Sequence, residues 1–310
     1  MRKTTPLLPA LASVLLLTAC GTRPAGAPGA SVTAPSQDGV RITSLTVPSG
    51  APASAPDGAS VHAGPLTARD SGISAAYEVT NAGPQALTYT VLFDFTTDAG
   101  EVMGNTRETV RAVGPGATVR GTVRQAPGPG SSRATRVEVS RVTKVPAAEA
   151  PPASGECPPS GVRVTADDGD AAMGLRVVGL NLENCGKGDY PLDGYPLLEL
   201  LDEDRAPVPG IRIVQGSGGI TTGTGFDDPA RPLVLKPGES AVSGLMWRNT
   251  TESGDPVNVP YVRVRAREGA DPVMVTPQLD LGTTGKLAVS AWTRPPEKHA
   301  ATAPGQRPGP

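Results

Sequence analysis

Histidine is nearly missing from this sequence. His62 and His299 are the only two in 310 residues, and both sit in stretches that read as loop or tail. A histidine metal centre needs clustered ligands in a folded shell. A Ser-His-Asp triad needs a rigidly held base. Neither is expected, and no metal, cofactor or catalytic residue is nominated. Aromatic residues are also few, with five Tyr, three Phe and two Trp, so each ring is worth more to a core than to ligand stacking. Neither charge sign dominates: 28 basic residues face 30 acidic ones, for a net charge of -2. That balance disfavours a nucleic-acid partner, whose affinity comes from Lys and Arg at phosphates. The 38 glycines and 34 prolines disfavour long helices, and without a Gly-x-Y repeat they do not make collagen. No apolar run reaches the roughly 20 residues of a membrane-spanning helix.

The one sizeable apolar run is informative for where it stands. Arg2 and Lys3 precede a mostly apolar stretch from Leu7 to Leu17, and Thr18-Ala19-Cys20 comes next. This fits the short apolar region of a signal peptide over residues 1–19. A cysteine directly after a small residue resembles a bacterial lipobox. The resemblance implies cleavage before Cys20 and lipid on its thiol and amine. Two or more acyl chains anchor firmly where one alone is marginal. A lipid anchor at Cys20 is therefore expected, holding the protein on the extracytoplasmic face of the cell membrane. Gly21 stands where an aspartate-type retention signal would place Asp. The competing reading is a plain secretory signal with an incidental cysteine.

Composition divides the rest of the chain. Residues 20–38 have almost no bulky apolar side chain and read as a flexible tether. A second low-complexity run, Pro146 to Gly155, marks a linker over 146–156. The tail, 295–310, is Pro, Ala, Gly and charge. Two folded stretches remain, 39–145 and 157–294.

In the first, Val40–Val47 is rich in β-branched residues and reads as a strand. Ile73, Ala75, Tyr77 and Val79 alternate with polar neighbours, and Asn81-Ala82-Gly83-Pro84 marks a turn. Leu87, Tyr89, Val91, Phe93 and Phe95 then alternate again. This spacing predicts that the two segments pair antiparallel with one buried face. Gly114-Pro115-Gly116 turns into a strand over Thr118–Val123, and Val137, Val139 and Val142 suggest a closing strand. Short strands at this spacing predict a β-sandwich, similar to small immunoglobulin-like envelope domains. Tyr77, Tyr89, Phe93 and Phe95 are expected in its core.

The second stretch opens at Cys157 and continues with "LNLENCG" from Leu180 and "LDGYPLLELLDEDRAPV" from Leu192. "LVLKPGESA" runs from Leu233 and "LMWRN" from Leu245. These pieces resemble the DUF4232 family, a domain of unknown function common in actinobacterial exported proteins and lipoproteins. The resemblance implies an immunoglobulin-like sandwich and carries over no catalytic or ligand residue. The family often has two further cysteines near the later strands. Asn258-Val259-Pro260 and Thr283-Thr284-Gly285 occupy those regions here. With Cys20 assigned to lipid, two cysteines remain, and an exported location permits one bridge, Cys157–Cys185. The expected fold is thus all-β, with two immunoglobulin-like antiparallel β-sandwich domains in tandem.

The remaining motifs point to no chemistry. Asp167-Asp168-Gly169-Asp170 and Asp202-Glu203-Asp204 miss the spacing of a calcium loop and read as solvated turns. Gly216-Ser217-Gly218-Gly219 lacks the Lys-Ser/Thr of a phosphate loop. Arg263, Arg265 and Arg267 form a basic stripe, read either as an ordinary solvated face or as a contact for an acidic wall polymer or partner protein. The expected role is a non-enzymatic cell-surface lipoprotein that binds an envelope protein or cell-wall polymer, or serves a structural part. Gln215–Pro229 is its candidate contact loop. One alternative is a small-solute-binding protein, which requires a concave apolar pocket with convergent polar groups. The other is an envelope hydrolase, which requires two carboxylates in a cleft.

Overall fold

The computed structural model describes residues 36–47, 72–126 and 134–296. The leader, Cys20, most of the tether, His62, His299 and most of the tail lie outside them. Among the described residues there is no helix, and the fold is all-β.

The first six strands are β1 (Val40–Thr46), β2 (Ser74–Thr80), β3 (Leu87–Thr96), β4 (Val102–Val113), β5 (Thr118–Arg124) and β6 (Arg136–Pro146). They make two three-stranded sheets, ordered β1-β2-β5 and β4-β3-β6. Alternation along each strand sends Val40, Ile42, Tyr77 and Val79 from one sheet against Tyr89, Val91, Phe93 and Phe95 from the other. The Tyr77 and Phe93 rings meet with centroids 4.9 Å apart. The expected pairing of the two alternating segments is wrong. β2 takes β1 and β5 as neighbours, and β3 takes β4 and β6. Period-2 alternation decides which side chains are buried, not which strand lies alongside. Strand β4 has no counterpart in the sequence reading. It buries only Val110 and Val113, so its alternation is too faint to see.

The other thirteen strands, of which β9 and β14 alone exceed five residues, are β7 (Val162–Ala166), β8 (Asp170–Ala172), β9 (Leu175–Asn184), β10 (Tyr190–Leu192), β11 (Leu197–Leu201), β12 (Arg212–Gln215), β13 (Leu233–Leu235), β14 (Ser240–Arg248), β15 (Asn258–Val259), β16 (Tyr261–Arg265), β17 (Val273–Val275), β18 (Leu279–Asp280) and β19 (Lys286–Val289). The main sheet is ordered β12-β19-β14-β9-β7, with β8 added along β9. Sheet β11-β16-β17 and the pairs β10-β13 and β15-β18 complete the set. Leu180, Leu182, Leu245 and Leu287 from the main sheet pack with Leu200, Val262, Val264 and Val275. The pattern is not purely antiparallel as expected: β12 and β19 run parallel, from Arg212 opposite Lys286 to Gln215 opposite Val289. They are far apart in sequence, so no hairpin imposes antiparallel pairing. Pro191 and Leu192 lie within β10 and pair with Val234 and Leu233 of β13. Cys157 and Cys185 are disulfide-bonded, with Cα atoms 5.7 Å apart.

One corner is built twice. Asn81 is fully buried. Its Nδ2 donates to the carbonyls of Gln85 and Val113, each at 2.8 Å, and its Oδ1 accepts from the Gly83 N–H at 2.9 Å. Asn184 repeats this scheme, with the same local offsets of four and two residues, donating to Gly188 and Leu235 at 2.9 and 2.8 Å and accepting from Gly186 at 3.1 Å. The backbones match as well. Asn81 exchanges bonds with Ala117 and Gly116, and Asn184 with Glu239 and Gly238. Gly116 and Gly238 both adopt positive φ, 69° and 84°, in the Pro-Gly turns that lead into β5 and β14. The sheets obey the same relation: β1-β2-β5 corresponds to β7-β9-β14. The asparagine arch explains why β2 and β3 part company, because its side chain ties the chain to the end of β4 as it crosses between sheets.

The two halves meet in a small apolar cluster of Val145, Leu201, Tyr261 and Met274. The low-complexity stretch after β6 joins this seam rather than hanging free. The Met274 N–H donates to the Glu149 carbonyl at 2.7 Å. The Glu149 carboxylate takes Arg263 Nε at 2.7 Å, and the Pro151 carbonyl accepts from Arg111 at 2.6 Å.

Candidate functional site

The interiors between the sheets are filled by the two apolar cores. Two sizeable concavities lie where the halves face each other. One of about 460 Å³ is floored by the outer face of sheet β4-β3-β6. Registration sets out that floor in rows. Thr90 lies between Thr109 and Thr143, and Leu92 lies between Arg107 and Arg141. Strands about 4.8 Å apart thus place the two arginines on either side of Leu92. Thr165 and Thr276 line the opposite wall. A second cavity of about 670 Å³ continues past Arg141, Asp168, Pro277 and Gln278, which line both. Its further lining includes Asp170, Arg176, Glu203 and Asp280. Gln278 at the shared wall holds φ at 54°, a conformation non-glycine residues adopt at some cost.

Several of these charges are already committed. Arg107 pairs with Asp168 at 2.9 Å. Asp167 Oδ1 accepts the N–H groups of Gly169 and Gly179. Asp280 accepts from Trp247 Nε1 at 2.9 Å and from Asn249 at 3.0 Å, with Arg176 at 3.5 Å. Burial works to raise the Asp280 pKa, but these donors and the Arg176 charge hold it below the usual carboxylate range. Arg141 has no such partner among the described residues and lines both cavities.

The motifs singled out in the sequence sit elsewhere or are occupied. The contact loop expected at Gln215–Pro229 is anchored near both its ends. Phe226 is 8% exposed and covers Met246 and Ala288 on the outer face of the main sheet. A side chain at Gly244 would come within 2.6 Å of the Phe226 ring, so that glycine makes room for the plug. Asp227 Oδ1 accepts the Ser217 N–H at 2.8 Å, and Ser217 keeps its carboxyl below the usual range. The arginine stripe is divided among three tasks. Arg263 pairs with Glu149 and Glu199, each at 2.7 Å, and these partners raise its pKa against the pull of burial. Arg265 donates to the Ala270 carbonyl, and Arg267 stacks over Tyr190. No group of three or more metal-ligating side chains occurs among the described residues.

One wall of the cleft belongs to a segment with known relatives. Residues 157–293 match the family model described as Domain of unknown function (DUF4232). The chain contains a DUF4232 domain. A comparison with curated proteins found no match. The DUF4232 domain holds the disulfide, the Phe226 plug, Asp280 and Gln278. The other wall, with Arg141 and Thr143, lies before it. The sequence reading missed those two residues. Alternation along β3 turns Thr88, Thr90 and Leu92 to the face opposite the buried Tyr89, Val91 and Phe93, which was a usable signal. The arginines beside Leu92 come from β4 and β6, and only the registration reveals them.

Proposed function

We propose that this chain is an exported, non-enzymatic binding module, anchored to the extracytoplasmic face of a cell membrane through lipid on Cys20. It is built of two immunoglobulin-like sandwiches in tandem, and the cleft between them seats the ligand. The observation that carries this reading is the pair of joined cavities, about 460 and 670 Å³, within the range of small-molecule sites, roughly 300–1,000 Å³. The twice-built asparagine corner supports the tandem arrangement, and the leader sequence supports export. Cavities of this size favour a small ligand, or one residue of a longer chain, over a flat protein contact.

The test uses a photo-reactive amino acid at Thr109, on the cleft rim, and as control at Val119, on the exposed face of β5. Both full-length proteins are irradiated on intact producing cells and their adducts identified by mass spectrometry. A reproducible adduct at Thr109 and none at Val119 is expected. Equal labelling at both positions removes the cleft from consideration. Cys20→Ala should release the protein from the membrane fraction, and continued membrane association of that variant refutes the anchor.

A further inference from the structure

We infer that the cleft takes a small hydroxylated acid bearing one negative charge, of the sugar-acid class. This rests on the proposed binding cleft and specifies its ligand. The hydroxyls are the first argument. Thr90, Thr109 and Thr143 form one cross-strand row, with Thr165 and Thr276 opposite. Thr143 is only 7% exposed, and its hydroxyl has no hydrogen-bond partner among the described residues. That hydroxyl is not among the fully enclosed unpaired side-chain atoms of the described residues, so it opens to the cleft and is satisfied from that side. Solvent does this in the free protein, and a ligand hydroxyl that replaces it loses nothing. A wall of threonine hydroxyls therefore matches a polyol better than an apolar ligand.

The charge count is the second argument. Arg107 and Arg176 are paired with Asp168 and Asp280, and Asp167 is held by backbone N–H groups. Arg141 is left as the uncommitted cation at the junction. Asp167 on the smaller cavity and Asp170 and Glu203 on the larger have no cation partner among the described residues, so it is the position at Arg141, not the cleft as a whole, that favours an anion. One carboxylate on Arg141 is favoured, since a charge-assisted bond to guanidinium is strong and directional. A second negative charge extending into the larger cavity meets Asp170 and Glu203 and is repelled. A densely charged polyanion, such as the acidic polymer considered for the arginine stripe, is thereby disfavoured. The third argument is the absence of an open ring face. Trp247, which lines the larger cavity, is 2% exposed and its indole N–H is spent on Asp280. Nothing in the lining offers a stacking platform for a nucleobase.

The test is ligand-observed saturation-transfer NMR on the full-length chain carrying Cys20→Ala. Four closely related probes differ in charge: glucose, glucosamine, glucuronate and glucarate. Glucuronate is expected to bind best, with the other three all weaker. Arg141→Gln should weaken glucuronate about tenfold or more, and Thr143→Val, which keeps the shape and removes the hydroxyl, severalfold. Arg265→Gln, away from the cleft, should leave binding unchanged. Equal binding of glucose and glucuronate, or indifference to Arg141→Gln, overturns the inference. So does glucuronate that fails to bind at all. If an adduct still forms at Thr109 in cells, the cleft survives and only the ligand class falls. If Thr109 gives no adduct either, both are lost.

Discussion

Asn81 and Asn184 hold the same corner in the two halves, yet only the second is followed by a cysteine. Ala82 stands where Cys185 stands, and the first corner closes without a covalent tie. The hydrogen-bonded asparagine is therefore the shared device, and the disulfide is an addition. The strands beyond the corner supply the reason. In the first half the arch leads into β3 and returns through β4, strands of 10 and 12 residues. In the DUF4232 domain the corresponding strands, β10 and β13, have three residues each. A long ladder holds an arch by backbone bonds alone. A three-residue ladder supplies few, and the disulfide and buried indole bonds, such as Trp292 Nε1 to the Ala266 carbonyl, do the rest.

The strongest way to break this comparison is to remove each asparagine. Asn81→Ala and Asn184→Ala both leave carbonyls and an N–H buried without partners, each loss costing roughly 1–3 kcal/mol. A destabilisation of about 3–4 kcal/mol is expected for either variant by urea unfolding. If Asn81→Ala costs less than about 1 kcal/mol while Asn184→Ala unfolds the protein, the corners are alike in geometry only.

Removing the disulfide is the next test. Cys157→Ser with Cys185→Ser opens a link of sequence separation 28, for which the loop-entropy account gives about 3–4 kcal/mol. Hydrogen exchange should rise around β7, β9 and β13, while protection in β2, β3 and β5 stays. Equal loss in both halves would show that the seam around Tyr261 and Met274 couples them into one cooperative unit.

The Phe226 plug covers the outer face of a sheet in the second half alone, so its removal sharpens the contrast. Phe226→Ala uncovers Met246 and Ala288, but the ring packs on one face of a sheet rather than inside a core. The cost should fall below the roughly 3–5 kcal/mol of a core Phe→Ala, at about 2 kcal/mol. Limited proteolysis should then cut the loop near Gly223–Pro229. A loop that stays resistant would show that Asp227 and Ser217 hold it unaided.

The repeated corner also shows what a single sequence reveals. Asn81-Ala82-Gly83-Pro84 and Gly114-Pro115-Gly116 stood out as turns, because those residues suit tight backbone conformations, while Asn184-Cys185-Gly186 and Pro237-Gly238 entered only as pieces of the family resemblance. Their role as a matched arch did not stand out, because a turn between alternating segments reads equally well as a hairpin. All-β class and the buried aromatics followed from period-2 alternation. β4 did not, since its outward face carries Arg107, Thr109 and Arg111 and little of it is buried. The cleft was hidden for a related reason. Its floor is the polar face of β3, whose meaning depends on neighbours that only pairing supplies. Phe226 misled in the opposite sense: a lone ring in a Gly/Thr-rich loop has no periodicity to mark it as buried.

The smallest expected effect sets the two halves against each other in acid. Glu78 in the first half accepts from Arg41 and Arg120 at 2.7 and 2.9 Å, and those bonds hold its pKa below the usual range. In the DUF4232 domain Asp280 is also lowered, with burial opposing the Trp247 and Asn249 bonds that win. A carboxyl whose folded pKa is depressed stabilises fully above its ordinary pKa, and that contribution is lost as pH falls through the folded value. Both should therefore be felt below about pH 4 and be flat near neutrality. Glu78 pairs with largely solvated arginines, which screen its contribution. Asp280 faces a buried indole. Asp280→Asn should then flatten the acid limb of thermal stability more than Glu78→Gln, measured from pH 7 down to about pH 3. The reverse order would mean that the solvated ion pairs of the first half hold it more firmly than the indole anchor holds the second.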